Sequence, residues 1–194
     1  MAFLDFFVSY LKLGFHHIVD INGYDHILFI LSLCAVYKPS DWKKVGILIT
    51  AFTLGHSVTL ALASLKIILP NRYIIELLIP VTILSSCVYN LFTYRREDKT
   101  KLYVKYLLAL CFGFIHGMSF SSYFSLILGD MENLLLPLFS FNVGIEVGQL
   151  FIIAVYYLLY IAVVKLTNLA HNKFVFVFSG IGIIASLYLI IVRF

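Results

Sequence analysis

Long runs of apolar residues, separated by short polar connections, restrict most strongly how this chain can fold. Of its 194 residues, 62% are hydrophobic and 12% are charged, whereas about a quarter of a typical soluble domain is charged. A transmembrane helix needs about 20 mostly apolar residues. The candidates are residues 21–37, 45–65, 74–94, 105–128, 134–164 and 174–193. We therefore predict an all-α polytopic membrane helix bundle with about six transmembrane helices, folded as a single integral membrane domain over residues 1–194.

The N-terminal segment carries its polar side chains on one helical face. Asp5, Ser9, Lys12 and His16 follow the spacing i, i+4, i+7 and i+11, and large apolar residues occupy the remaining positions. This pattern predicts an N-terminal amphipathic helix that lies in the membrane interface.

Basic residues in the connections predict the orientation of the chain. Ten Lys and Arg residues follow the first, third and fifth predicted spans, and four lie on the other side. Because basic loops remain in the cytoplasm, both termini are predicted to lie outside. Nucleic-acid binding needs a basic face, which these scattered residues do not provide. We expect the lipid bilayer as the surroundings of this chain, with no nucleic-acid partner.

Three histidines are predicted to reach one depth of the bilayer. His26, His56 and His116 each lie 11 or 12 residues from the predicted cytoplasmic end of their helix. At a rise of 1.5 Å per residue, each is about 17 Å from that boundary. This depth is near the middle of a hydrocarbon core about 30 Å thick. Ionisable residues at such depth usually face the bundle interior and mark a site or a pathway.

The fifth predicted span adds polar residues near the same layer. Asn142, Glu146 and Gln149 share one helix face, and Glu146 lies 12 residues from the outer end, about 18 Å deep. Asp25 precedes His26 and is expected to orient a histidine, bind metal or line the entrance. Small residues that allow close helix packing cluster around these positions, namely Gly55, Gly113, Gly117, Gly144 and Gly148.

Imidazoles and carboxylates that converge in a dry site favour a divalent transition metal. The predicted ligands are His26, His56, His116, Asp25 and Glu146, and the predicted polar lining is Asn142, Gln149 and Ser57. The alternative is that each histidine only forms a hydrogen bond between helices. The coincidence of three histidines at one depth favours the metal.

Three further polar residues lie before the first predicted span, at its outer end. His16, His17 and Asp20 form either an outer vestibule that captures metal or a solvated interfacial cluster.

Four sequence blocks around these residues resemble the HupE/UreJ family of bacterial membrane proteins, particularly its short branch. They are residues 23–29 (GYDHILF), 52–60 (FTLGHSVTL), 112–117 (FGFIHG) and 141–149 (FNVGIEVGQ), in the order of the family. Members are described as nickel or cobalt permeases associated with hydrogenase and urease maturation. The resemblance implies transition-metal uptake across the bacterial inner membrane. It implies metal-site roles for Asp25, His26, His56 and His116, and polar-site roles for Asn142, Glu146 and Gln149.

Two functions follow from these residues. The first is a nickel or cobalt transporter that binds the ion at the bilayer midplane. The alternative is an intramembrane zinc-dependent hydrolase of a lipid or lipid-linked substrate, with Asp25 or Glu146 as general base and Ser57 steadying the water or oxyanion. A metal-binding scaffold or sensor is a third reading. Broken helices and inverted repeats, which are typical of secondary transporters, are not evident in the sequence.

Overall fold

The computed structural model describes residues 2–94, 100–128 and 134–193, and these are almost entirely helical. The helices in these ranges are α1 (Ala2–Val19), α2 (Tyr24–Cys34), α3 (Trp42–Ser64), α4 (Arg72–Thr93), α5 (Thr100–Leu128), α6 (Leu135–Thr167) and α7 (His171–Arg193). One turn of 3-10 helix, Pro39–Asp41, precedes α3. The described ranges contain no strand, and the predicted all-α bundle is confirmed.

Among the described residues, five helices are long and apolar enough to cross a membrane, as expected of a multi-pass membrane protein. They correspond to the second through sixth predicted spans. Their bounds are Pro39–Ser64, Arg72–Thr93, Leu102–Leu128, Leu135–Thr167 and His171–Arg193. Each bound lies within a few residues of its prediction because a run of about 20 apolar residues has few alternatives to a transmembrane helix.

Local signals end the helices. The Asn71 side chain accepts hydrogen bonds from the backbone N–H groups of Tyr73 and Ile74, at 3.0 and 3.4 Å, and so caps the start of α4. Asn168 adopts a left-handed conformation with φ of 52° and ends α6. The α6–α7 turn is therefore tight, and His171 at the start of α7 receives a hydrogen bond from the Tyr160 hydroxyl at 3.0 Å.

The first predicted span, 21–37, is wrong in length. The helix there, α2, has 11 residues and is about 16 Å long, which is half of the hydrocarbon core. Its direction follows from its contacts with the two ends of α7. Near its start, Asp25 pairs with Arg193, and just after its end the Val36 carbonyl accepts a hydrogen bond from His171. Thus α2 is antiparallel to α7 and runs in the same direction as α6.

Helix α1 precedes α2 in the same direction and is the longer of the two, with 18 residues and a length of about 27 Å. Phe7 packs against Phe139 and Phe15 against Phe151, so α1 also runs in the direction of α6, beside its first half. Residues 20–23 separate the two helices. The structure therefore contains a discontinuous helix, a feature that the sequence pattern did not reveal.

The predicted polar face of α1 is exposed, since Asp5, Ser9, Lys12 and His16 all lie on the surface. The opposite face packs on α6 with backbone contact. The interfacial placement is therefore replaced by a position within the bundle. The reason is Gly14, whose missing side chain lets the Phe141 carbonyl oxygen approach.

Two helix pairs share this kind of glycine seam. In the α1–α6 seam, Gly14 contacts the carbonyl of Phe141 and Gly144 contacts that of Leu11. Each carbonyl belongs to the residue three positions before the partner glycine. One turn later, Gly148 meets the carbonyl of Phe15.

The α3–α5 seam repeats the same register. Gly55 contacts the carbonyl of Leu110 and Gly113 contacts that of Phe52, again three positions before the partner glycine. One turn later, Gly117 meets the carbonyl of His56. Both pairs are parallel, and they run in opposite directions. The predicted close packing at these glycines is thus present on two equivalent seams.

The bundle has two chemically distinct ends. We call the end where α2, α4 and α6 finish the basic end. Its described lysines are Lys38, Lys43, Lys44, Lys105, Lys165 and Lys173. The buried histidines that the sequence predicts, His26, His56 and His116, lie inside the bundle, where the α1–α6 and α3–α5 seams meet.

Candidate metal site

Four histidines from four helices meet inside the bundle. The ring centroids of His17 and His26 are 4.5 Å apart, and those of His17 and His56 are 5.9 Å apart. His116 joins the group through His26, at 5.4 Å between centroids. His56 and His116 have no exposed surface, and His26 is buried. The structure therefore brings together the three predicted histidines and adds His17. We call these four residues the histidine cluster.

Most ring nitrogens of this cluster are buried without a hydrogen-bond partner. They are His17 Nε2, both nitrogens of His26, both nitrogens of His56, and His116 Nε2. Buried polar atoms are normally paired, so a group of six unpaired nitrogens needs an explanation. Nitrogen lone pairs that converge in this way form a ligand set for a transition metal.

The geometry fits one shared ion. His17, His26 and His56 each offer a ring nitrogen, and these three atoms lie within 4.8 Å of one another. Histidine nitrogens bind a metal at about 2.0–2.1 Å, which places two ligands of one ion about 3–4 Å apart. The described residues therefore present a three-imidazole site.

His116 is oriented for a supporting or ligand role. Its Nδ1 lies 2.9 Å from the carbonyl oxygen of Phe112. Because a carbonyl can only accept, Nδ1 must carry the proton, and Nε2 keeps its lone pair. Such a bond fixes ring orientation and tautomer in metal-binding histidines.

Phenylalanine rings enclose the cluster. The rings of Phe120 and Phe141 stack at 5.2 Å, and Phe120 covers His17 at 3.8 Å. Phe29 and Phe52 lie 4.9 and 5.2 Å from His116. All distances are between ring centroids. These rings keep the site apolar, which strengthens charge interactions within it. Sequence reasoning missed them, although Phe52 precedes His56 by one helical turn.

The structure pairs Asp25 with an arginine. Arg193 Nη2 lies 2.7 Å from Asp25 Oδ2, and Arg193 Nη1 donates to the Glu76 carbonyl at 3.0 Å. The other carboxylate oxygen, Oδ1, is buried without a partner. Asp25 is not part of the three-atom ligand group. Asp25 directly precedes His26 in the chain, and its negative charge is balanced by Arg193.

Glu146 bonds to α3 and is not part of the three-atom ligand group. Its carboxylate accepts a hydrogen bond from Thr50 Oγ1 at 2.7 Å, six residues before His56 on α3. Gln149 Oε1 accepts from Thr53 Oγ1 at 2.9 Å, one turn from His56. These two pairs form a polar seam between α3 and α6.

The remaining predicted lining residues bond mainly to their own helices. Ser57 donates to the Thr53 carbonyl at 2.6 Å, and Asn142 donates to the Leu138 carbonyl at 2.7 Å. Asn142 Oδ1 remains buried and unpaired. Of the predicted outer vestibule, His16 and Asp20 are exposed, whereas His17 points into the histidine cluster.

The fold and the histidine cluster define a multi-pass helical membrane protein with an interior group of imidazoles that could hold a metal ion. The chain belongs to the HupE/UreJ family, because the family described as HupE / UreJ protein matches residues 2–192, nearly its whole length. The resemblance of the four sequence blocks is thereby confirmed. No curated protein and no solved structure matches the chain.

Proposed function

We propose that this protein transports a divalent transition metal of the nickel or cobalt type, which binds at the histidine cluster as substrate. The observation that carries the proposal is the convergence of buried, unpaired ring nitrogens from His17, His26 and His56. The family, which is associated with nickel and cobalt transport, supports this choice.

Polar contacts between α3 and α6 beside the cluster support passage of the ion. Thr53 and Thr50 follow His56 along α3 toward the basic end, and they donate to Gln149 and Glu146 of α6. Thr50 also lines an open groove of about 530 Å³ on α3. Thr53 is buried, whereas Thr50 is exposed. A cation that leaves the cluster would thus find hydroxyl, amide and carboxylate oxygens between these two helices.

The discontinuous α1–α2 crossing also favours transport. His17 lies near the end of α1, and His26 lies near the start of α2, on either side of the break at residues 20–23. Secondary transporters place ion sites at such breaks, where backbone and side chains can rearrange. Two of the three proposed ligand donors therefore lie on separate helical segments, one on each side of the break.

The hydrolase alternative draws less support from these contacts. Among the described residues, Asp25 is paired with Arg193 and Glu146 is bonded to Thr50, so each proposed general base has another partner. The proposed Ser57 hydroxyl is directed to the Thr53 carbonyl. A hydrolase needs a free base beside the metal-bound water.

Metal binding to purified protein tests the proposal, with neighbouring histidines as a matched pair. We expect one Ni²⁺ or Co²⁺ per chain in the wild type. His17→Ala should weaken binding by at least about 100-fold, since even outer-shell partners contribute 10–100-fold. His16→Ala, which alters the exposed neighbour, should bind like the wild type. Liposome uptake should follow the same order.

Two results would contradict the proposal. One is wild-type binding with less than one ion per chain at saturating Ni²⁺, Co²⁺ or Zn²⁺. The other is equal loss of binding in His16→Ala and His17→Ala when both variants unfold at the wild-type temperature. If the wild type binds the metal but liposomes do not take it up, the metal is a resident cofactor, and the hydrolase alternative is favoured.

A further inference from the structure

A second cavity lies between α2, α4 and α5, close to the basic end of the bundle. Its volume is about 180 Å³. An engineered apolar cavity of about 150 Å³ binds benzene, so this space admits a short piece of hydrocarbon chain. Its walls are mainly apolar and are formed by Leu33, Val36, Tyr37, Ser85, Ser86, Tyr89, Asn90, Lys105, Leu108, Ala109 and Phe112.

One side of the cavity faces the bilayer. Ser85 is exposed, and Tyr89 and Leu108 are only half-buried, whereas Ala109 on the inner wall has no exposed surface. The opening therefore lies between α4 and α5. An acyl chain can enter from the side without passing through water.

Lys105 places a positive charge at this cavity. Its Nζ lies 4.9 Å from the ring centroid of Tyr37 and 5.8 Å from that of Tyr89. Within the described part of the chain, no carboxylate lies within ion-pair distance of this ammonium group. Asp41 is near enough to attract it, but the Asp41 carboxylate is itself paired with Lys44 at 2.7 Å. The Lys105 ammonium group is therefore available to an anion that enters the cavity.

A hydroxyl donor lies beside this charge. Tyr37 is 6% exposed, and its hydroxyl is buried without a hydrogen-bond partner. Burial raises the pKa of the Tyr37 hydroxyl, so the group remains a neutral donor. An ammonium and a hydroxyl donor at the polar end of an apolar space match an acidic headgroup followed by a hydrocarbon chain.

We propose that this cavity is a binding site for an anionic phospholipid, with the phosphate near Lys105 and Tyr37 and the first part of one acyl chain between α4 and α5. Basic pockets between transmembrane helices are known to take acidic headgroups in this way. Lys105 makes the cavity unfavourable for a cation. The cavity is therefore not a continuation of the polar seam between α3 and α6. Its inner wall nevertheless includes Phe112, whose carbonyl orients His116.

Lipid retention tests this site. Purified protein is equilibrated in nanodiscs with equal amounts of phosphatidylglycerol and phosphatidylcholine, and the lipid that remains on the intact protein is identified by mass spectrometry. We expect one retained phosphatidylglycerol per chain, preferred about five-fold over phosphatidylcholine, which is the effect of one basic residue near an anionic lipid. Lys105→Gln should abolish the preference.

A matched lysine and a cavity-filling variant complete the design. Lys43→Gln removes an exposed lysine at the same end and should keep the wild-type preference. Ala109→Leu fills the inner wall without a change of charge and should lower retention of both lipids. Unchanged preference in Lys105→Gln would overturn the proposal, as would equal retention of both lipids by the wild type. A retained free fatty acid would overturn the choice of a phospholipid.

Discussion

At the scale of single residues, His17 shows what the sequence could and could not indicate. His26, His56 and His116 were found by depth because each belongs to a recognisable apolar run. His17 is predicted at the outer edge of the bilayer because it lies before the first predicted span, beside His16 and Asp20. Only the break at residues 20–23 and the packing of α1 on α6 bring it into the histidine cluster, and both depend on contacts more than 100 residues apart.

The position of Glu146 has a related physical cause. Counting residues gives distance along a helix axis, but it does not give the direction of a long side chain. Phe141 is the α6 residue that meets His17 and His56, at 5.8 and 6.5 Å between centroids. Glu146 follows five residues later and reaches Thr50 instead.

Arg193 should regulate how tightly the cluster holds its ion. Arg193→Gln removes the positive charge that balances Asp25, so a divalent cation nearby is favoured. We expect Ni²⁺ affinity to rise about ten-fold. At an effective dielectric constant of 20, the repulsion between two unit positive charges about 10 Å apart is already large enough to change a binding constant by this factor. The metal-free variant should be less stable, because it leaves a carboxylate unpaired. Calorimetry with and without Ni²⁺ measures both effects.

Arg72→Gln is the control for that experiment. Arg72 also pairs with a carboxylate, Glu76, at 2.6 Å, but its side chain is 86% exposed. Exposed pairs contribute little, so neither affinity nor stability should change appreciably. Weaker Ni²⁺ binding by Arg193→Gln would show that Arg193 only holds Asp25 and His26 in position.

At the scale of elements, the two glycine seams organise the site. The α1–α6 seam carries His17, and the α3–α5 seam carries His56 and His116, so the histidine cluster lies where the two seams face each other. The glycines were visible in the sequence as small residues near polar ones. Their common register was not, because nothing in a single helix tells which carbonyl a glycine will meet.

Equivalent substitutions on the two seams should have equivalent effects. Gly113→Ala and Gly144→Ala each place a methyl group against a backbone carbonyl, of Phe52 and of Leu11. We expect each to lower the free energy of unfolding by about 1–3 kcal/mol, the usual cost of overpacking. Unfolding in mixed detergent micelles measures the change.

Gly46 is the control for the seam variants, because nothing lies within 4 Å of a methyl group added there. Gly46→Ala should leave stability unchanged or raise it by up to about 1 kcal/mol, since alanine favours the helix. Losses in Gly46→Ala as large as those in the seam glycines would mean that helix propensity, and not backbone contact, explains the result.

At the scale of the whole molecule, the apolar runs predicted five of the crossings well. The remaining crossing, the first along the chain, is divided between α1 and α2. Helix α2, with 11 residues, is too short to span, and α1, with 18 residues, is not among the described helices that are apolar enough. Sequence windows of about 20 residues therefore merged the wrong residues. The orientation predicted by the basic connections remains a proposal, in which the basic end faces the cytoplasm.

Cysteine labelling in whole cells checks this orientation. In a Cys111→Ser background, which removes the exposed native cysteine, Leu69→Cys in the exposed connection between α3 and α4 should react with a membrane-impermeant maleimide. Lys43→Cys should react only after the cells are permeabilised, because the positive-inside rule places its connection in the cytoplasm. The reverse labelling pattern would invert the topology and the direction of the polar seam.

The α1–α6 seam also has a consequence for biogenesis. Helix α1 is synthesised first, yet the helix that seats it begins at Leu135. At about 5–20 residues per second, the ribosome needs roughly 6–23 s to make the chain between them. During that time α1 lacks the partner that accepts Gly14, and α2 is too short to span the bilayer. His17 must therefore wait for the C-terminal third of the protein before it can join the histidine cluster.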